Sequence, residues 1–388
     1  MTHAAEFTRA HFGVTISFLT HGFISASFFA RIPDYKANLE LSNTVLGLCL
    51  LASSIGVLVA LGPVGKLAAL RGSSTILRKS SYLLLVVAPL VGYSFNSISF
   101  ALTLFIFGMA IAAQDVCMNT HGVTLEQKSG NRYMGRFHAF WSVGALLGAL
   151  IGGFFAQLEI SEFLHSLIVS FTVFLLVIGN NGRFLSGEID KHQYEVGLTK
   201  KKKPRLILIV GLLGFASSIG EGSAADWGGV LARETFGATQ LVGTLPYFAY
   251  SLTMVVGRLY ADQLATKFGA SRILKIGGLL GGLGLSGGLI VGGTHGVIIG
   301  WFLLGLALST VIPLIFSAAG SMANKRFQGV ISPAEAVAMI SGISYFGFVV
   351  GPPLMGFLAD LFTLRWAMLV PAGLALFIAA NSRLFKDA

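Results

Sequence analysis

The chain has 388 residues, of which 54% are apolar and 11% charged, and its formal net charge is +10. A soluble domain has about 25% charged residues, so this composition excludes an ordinary water-soluble globule. The 49 glycines would weaken soluble helices but suit close helix packing in a bilayer. Cys49 and Cys117 lie in apolar runs and do not indicate a disulfide framework. An all-α polytopic membrane protein is therefore predicted.

Apolar runs long enough to cross about 30 Å of hydrocarbon recur along the whole chain. The N-terminal segment MTHAAEFTRAH lacks a small-residue cleavage site after the first apolar run, so no signal peptide is expected. The pattern predicts twelve membrane-spanning helices, at about residues 11–32, 43–63, 79–95, 97–120, 137–157, 163–181, 206–229, 239–260, 272–292, 297–319, 335–357 and 364–382.

The positive charges indicate the orientation of these spans. Of the 27 lysines and arginines, 23 fall on the side of the N-terminus and four fall on the other side. This asymmetry predicts that both termini are cytoplasmic. The basic run KKKKPR (200–205) then faces anionic lipid of the cytoplasmic leaflet, which explains the net charge without nucleic-acid binding.

A repeat divides the chain into two halves. LAALRGSSTIL (67–77) aligns with LATKFGASRIL (264–274), with six identities in eleven positions at an offset of 197. Such a repeat is typical of transporters built from two pseudo-symmetric six-helix bundles. The predicted domains are an N-terminal bundle (1–181), a basic cytoplasmic linker (182–205) and a C-terminal bundle (206–388). A channel would not need this arrangement.

The two repeated loops also resemble those of a known family. LAALRG (67–72) and LATKFG (264–269) are similar to the loop signature of the major facilitator superfamily, except that Ala69 and Thr266 replace its aspartate. The resemblance extends over essentially the whole chain and implies the fold of that family, secondary active transport and a monomeric protein.

Four segments resemble the fucose-permease branch of that family: QDVCMN (114–119), GEGSAADW (220–227), STVIPLIFS (309–317) and GPPLMGFLAD (351–360). Together with FHAFWSVG (137–144), the runs around 221–227 and 351–356 are most similar to bacterial proteins of the YbjJ type. This branch implies a sugar as cargo, taken up with a proton.

Three of the seventeen acidic residues, Asp115, Glu221 and Asp226, lie within predicted spans. A carboxylate inside a membrane costs at least about 2.5–3.5 kcal/mol, so these residues are functional candidates. Asn119 follows Asp115 by one helical turn, and the pair offers acceptors and a donor to a hydroxyl-rich ligand. The resemblance to fucose permeases implies that Asp115 contacts the sugar and helps to couple protons. The alternative is a hydrogen bond between helices.

On a helix, Glu221 and Asp226 point about 140° apart and face one cavity only if the helix unwinds at its glycines. Glu221 is predicted to face the cavity, to bind substrate and, with Asp115, to couple the proton. Asp226 is predicted to cap or gate the far end of the span, pairing with Arg31 or Arg233.

His21 lies midway along span one, where fucose permeases place a carboxylate. A histidine titrates in the physiological range, which makes His21 a candidate for the substrate site. A neutral histidine that is hydrogen-bonded between helices is an equally good interpretation.

Several aromatic residues and prolines complete the candidate site. Trp141, Tyr247 and Tyr345 are predicted to stack against sugar C–H faces, although aromatic residues also form interfacial belts in membrane proteins. Pro313 and Pro352 are predicted to bend spans ten and eleven and to act as hinges, with plain packing as the alternative.

The sequence favours a proton-coupled symporter of a monosaccharide or polyol that works by alternating access. The alternatives are an exporter of amphipathic compounds and a membrane sensor that does not transport. No enzyme, metal site or cofactor is predicted. The G-x-G-x-x-G at 282–287 lies inside an apolar span with no strand before it, and the sequence contains no G-x-x-x-x-G-K-[ST] motif.

Overall fold

The computed structural model describes residues 3–130, 133–189, 205–325 and 333–385. The chain forms two compact units, one of Met1–Leu41 with Leu48–Gly197 and the other of Ser42–Gly47 with Leu198–Ala388. All regular elements in the described ranges are helical. Most of the predicted basic linker, residues 190–204 with the lysines of KKKKPR, lies outside these ranges.

Among the described residues, the first unit is built from seven helices, the third of which begins in Ser42–Gly47, a segment that belongs to the second unit. A break at Ala30–Arg31 separates the first two, and Pro33 lies in the first turn of the second, where a missing N–H is tolerated. The helices are α1 (His3–Phe29), α2 (Ile32–Asn38), α3 (Asn43–Arg71), α4 (Ser73–Gly92), α5 (Ser97–Ser129), α6 (Met134–Gln157) and α7 (Glu162–Asn180).

In the part of the second unit that the structure describes there are nine helices, and a π-helical turn, Leu231–Thr235, extends the first of them. The helices are α8 (Arg205–Val230), α9 (Gln240–Gly243), α10 (Leu245–Phe268), α11 (Ala270–Val291), α12 (Gly293–Leu308), α13 (Val311–Lys325), α14 (Pro333–Leu361), α15 (Leu364–Ala367) and α16 (Leu369–Ala380).

Each of the twelve predicted spans coincides with helical structure. Of the helical segments in the described ranges, ten are long and apolar enough to cross a membrane. The other two predicted spans correspond to α10, which carries Arg258 and Lys267, and to the shorter apolar stretch Leu364–Ala380. The predicted all-α fold is confirmed.

The repeat detected in the sequence has a matching backbone geometry. Gly72, which precedes α4, has φ 83° and ψ 139°, and Gly269, which precedes α11, has φ 82° and ψ 139°. A positive φ of this kind is readily adopted by glycine and strained for other residues. The two loops therefore use the same glycine-dependent turn between consecutive helices, one in each unit.

Close contact between α1 and α6 brings the first unit's polar residues together. A Cβ atom on Gly22 would lie 2.1 Å from the carbonyl oxygen of Trp141, and one on Gly144 would lie 2.0 Å from that of Leu19. Small residues allow membrane helices to approach in this way. The backbone of α1 thus lies directly against the backbone of α6 at the level of Trp141.

A side chain from α14 caps the N-terminus of α3. Asp360 Oδ1 accepts hydrogen bonds from the backbone N–H of Asn43 at 3.2 Å and from its side-chain amide at 2.8 Å, and Asp360 Oδ2 accepts from the backbone N–H of Thr44 at 2.7 Å. Ser42 Oγ accepts from Val45 N–H at 3.2 Å. The donors left open in the first turn of a helix are thereby satisfied.

Replacing Asp360 with alanine should lower the free energy of unfolding by about 1 kcal/mol, the usual cost of losing a helix cap. Thermal unfolding followed with a thiol-reactive fluorophore suits this protein, because Cys49 and Cys117 are free and buried. Asp360→Asn keeps one acceptor oxygen and should fall between wild type and Asp360→Ala. An unchanged midpoint in Asp360→Ala would show that the cap contributes nothing.

Candidate functional site

The first unit holds a polar group on α5. Asn119 Nδ2 donates hydrogen bonds to the backbone oxygen of Asp115 at 2.9 Å and to Asp115 Oδ1 at 3.1 Å. Both side chains are partly accessible. Because the amide of Asn119 is used for Asp115, the oxygens Asp115 Oδ2 and Asn119 Oδ1 are the atoms this pair offers to a ligand.

His21 lies between this pair and Trp141 of α6 and interacts with both. Trp141 Nε1 donates a hydrogen bond to His21 Nδ1 at 2.8 Å, and His21 Nε2 lies 3.3 Å from the carbonyl oxygen of Ile111. An indole nitrogen is a donor only, so His21 Nδ1 must accept and Nε2 must carry the hydrogen. The carboxylate of Asp115 is within electrostatic reach of the imidazole.

The structure changes the role expected for His21. Its side chain is 4% exposed and both ring nitrogens are already engaged, so it has no nitrogen to offer a cargo molecule. It fixes the indole of Trp141, which is partly accessible. The first unit therefore combines carboxylate and carboxamide oxygens with an oriented aromatic ring, an arrangement that suits a ligand with hydroxyl groups on an apolar frame.

The second unit contains a different polar group on α8 and α10. Arg258 Nη2 lies 3.5 Å from Glu221 Oε2, and both side chains are partly accessible. Tyr247 and Tyr250 of α10 lie within electrostatic reach of Glu221, and the hydroxyl of Tyr247 is hydrogen-bonded to Ser251. Glu221 is thus held by an ion pair and is partly accessible, and its position in a cavity stays a prediction.

Asp226 lies on the same helix in different surroundings. Helix α8 is regular from Arg205 to Val230, so the unwinding that would let Glu221 and Asp226 face one cavity does not occur. Asp226 is partly accessible. Within the described ranges, no side chain or backbone group forms a hydrogen bond or ion pair with its carboxylate. Tyr247 is within electrostatic reach.

The expected pairing of Asp226 with Arg31 was wrong. Arg31 is 4% exposed and binds within its own unit, where its guanidinium pairs with Asp34 and lies 3.1 Å from His165 Nδ1. Arg31 Nη2 also donates to the carbonyl oxygen of Ile160 at 2.8 Å. Each of the three guanidinium nitrogens thus already has an acceptor in the first unit.

The remaining candidates lie outside these two groups. Tyr345 of α14 is 48% exposed and its ring centre lies 6.3 Å from that of Phe348. Span ten is interrupted at Ser309–Thr310, ahead of Pro313, which occupies the first turn of α13. Pro352 lies within the unbroken helix α14. The hinge role of both prolines stays a prediction.

Arg258 was not identified as a site residue from the sequence. It lies near the end of its span and was counted with the charges that set the orientation. The sequence did contain a signal for this pairing. Arg258 is a basic residue in the last turns of its predicted span, and the same half of the chain has two acids inside its membrane-spanning segments. Across the described ranges, no group of three or more His, Cys, Asp or Glu side chains is arranged to hold a metal ion.

Comparison with known proteins decides the family. Residues 14–334 match the Major Facilitator Superfamily. The chain belongs to this family. Its relatives in the family are transporters, so this multi-pass membrane protein is a transporter and not an enzyme.

Three relatives match over nearly their full length. An uncharacterized transporter, y4wD, of Sinorhizobium fredii is 29% identical over 97% of this chain and 98% of its own. An uncharacterized MFS-type transporter of Yersinia pestis is 30% identical over 95% of this chain and 94% of its own. Membrane protein MosC of Rhizobium meliloti is 28% identical over 96% of this chain and 89% of its own.

Solved structures share the fold at much lower identity. The nucleoside transporter NupG superimposes with a TM-score of 0.80 at 12% identity, covering 97% of this chain and all of that chain. A bacterial homologue of the human lysosomal transporter Spinster, in an inward-facing and occupied conformation, gives a TM-score of 0.76 at 12% identity, covering 96% of this chain and 95% of its own.

Proposed function

We propose that this transporter is a proton-coupled symporter of a monosaccharide or polyol. In this proposal it lies in the bacterial inner membrane with both termini cytoplasmic and works by alternating access as a monomer. The observation that carries the proposal is the pair Asp115–Asn119 together with the oriented indole of Trp141, with His21 bonded to the indole and within electrostatic reach of Asp115. Carboxylate and amide oxygens bind hydroxyl groups, and an aromatic face packs against the C–H face of a sugar ring.

Further support comes from the cost of keeping these groups in a membrane. Asp115 and Glu221 are carboxylates within apolar helices, where acidic side chains are retained for binding or coupling. The resemblance of residues 114–119 to fucose permeases supports a sugar as cargo and Asp115 as the residue that contacts it. Glu221, Tyr247 and Tyr345 are the corresponding proposals in the second unit.

Charge movement in proteoliposomes adsorbed on solid-supported membranes tests this function. Hexoses, deoxyhexoses, pentoses and polyols would be applied under an inward proton gradient. Nucleosides belong in the panel because they carry a ribose and because NupG shares the fold. A current for one class of sugar or polyol is the expected result. No current from folded, inserted protein would overturn sugar symport, and binding without flux would indicate a sensor.

In the same assay, replacing Asp115 with asparagine should reduce the apparent affinity for the transported solute by about 10- to 100-fold. A hydrogen bond to a charged group contributes about 1.5–3 kcal/mol, which corresponds to that range. Glu159→Gln neutralises an exposed acid of the same unit and is the matched control. Equal affinities in Asp115→Asn and Glu159→Gln would remove Asp115 from the substrate site.

A further inference from the structure

The three acids within the apolar helices differ in what surrounds each carboxylate. Asp115 accepts a hydrogen bond from Asn119, and Glu221 is paired with Arg258. Asp226 has neither a donor nor a cation among the described residues. This difference was not visible in the sequence, which favoured Asp115 and Glu221 for the coupled proton.

An unpaired carboxylate is the form of this side chain that an apolar membrane-spanning segment tolerates least. Transfer of an isolated ionised carboxylate into a low-dielectric environment costs several kcal/mol, and a cation or a hydrogen-bond donor is needed to offset this cost. For Glu221, Arg258 provides that compensation. For Asp226, a bound proton removes the charge itself. Proton uptake and release therefore change the free energy of this side chain more than that of Asp115 or Glu221.

The groups around Asp226 are compatible with its binding a proton. On α10, Tyr247 is within electrostatic reach of both acids, while Arg258 belongs to Glu221. Helix α16, which packs against α8, has no titratable side chain. Of the other elements packed against α8, α12 carries His295, α13 carries Lys325, and the π-helical turn carries Arg233 and Glu234. Asp360 of α14 is used to cap α3. On α14, the ring of Tyr345 lies against Phe348. Asp226 is also partly accessible, so a proton can reach the carboxylate.

We propose that Asp226 is the residue that takes up and releases the coupled proton. In this proposal Glu221 keeps its ion pair with Arg258 and does not carry the coupled proton. The binding step adds one proton to one carboxylate oxygen, and release returns the proton to water. This inference rests on proton coupling in the proposed function and does not depend on which solute is carried.

Infrared difference spectroscopy tests this inference without any solute. Wild-type protein in proteoliposomes is titrated with pH, and the C=O stretching band of a protonated carboxyl is followed outside the amide region. We expect a pH-dependent band that shifts when the protein is labelled with 13C in its aspartate carboxyls. The band should be lost in Asp226→Asn and retained in Glu221→Gln and Asp115→Asn, which are the matched controls.

Two results would overturn the inference. One is a band that persists in Asp226→Asn, and the other is a wild-type spectrum with no pH-dependent band that responds to aspartate labelling. The labelling is done on the wild-type protein, so it distinguishes aspartate from glutamate even if a variant does not fold. If no sugar or polyol produced a current, the proposed cargo would be wrong, but the infrared band of Asp226 would be unaffected. The two failures are therefore distinguishable.

Discussion

Replacing Arg31 with methionine is expected to lower the free energy of unfolding by about 3–5 kcal/mol, the cost of leaving one member of a buried ion pair without its partner. Both side chains of the pair Arg31–Asp34 are almost fully enclosed. His165, which is 1% exposed, accepts from the guanidinium at Nδ1, so its Nε2 carries the hydrogen and donates to Ser27 Oγ at 2.8 Å. The substitution therefore disrupts a network that joins α1, α2 and α7.

A double substitution distinguishes the loss of charge balance from the loss of packing. Arg31→Met with Asp34→Leu removes both charges and should recover much of the stability, because apolar replacements of a buried pair are often neutral. Arg365→Met is the control: Arg365 donates to the carbonyl oxygens of Leu289 and Ile290 but is less enclosed. Equal thermal midpoints for Arg31→Met and Arg365→Met would contradict the expectation.

The parts of the fold that could be predicted are those that depend on local sequence. A span is recognised by the length and hydropathy of one continuous segment, so all twelve were placed. The contact between Asp115 and Asn119 follows from helical spacing alone, and the structure contains it. The glycines at 72 and 269 were aligned by the repeat, and they share one backbone conformation.

The interacting pairs that could not be predicted are far apart in sequence and come into contact only when the helices pack. Glu221 and Arg258 lie on different helices, and nothing near either residue specifies the other. Trp141 and His21 are 120 positions apart and meet because α1 and α6 approach closely. Arg31 was assigned to Asp226 on charge alone, yet its guanidinium binds acceptors in its own unit.

The second large effect is expected at the contact between α1 and α6. Replacing Gly144 with alanine would place a Cβ atom 2.0 Å from the carbonyl oxygen of Leu19. The obstructing atom belongs to the backbone, so no change of side-chain rotamer relieves the overlap and the two helices must separate. Overpacking of this kind costs about 1–3 kcal/mol or more.

The substitution should also affect solute binding, because His21 on α1 reaches Trp141 on α6 across the same contact. Separation of the helices lengthens the hydrogen bond of 2.8 Å between the indole and the imidazole and releases the aromatic ring. Gly135→Ala provides a matched control in the same helix, since a Cβ atom there meets nothing within 4 Å. We therefore expect Gly144→Ala, and not Gly135→Ala, to lower both the thermal midpoint and the apparent solute affinity. If the two variants behaved alike, the backbone contact would not be what holds Trp141 in place.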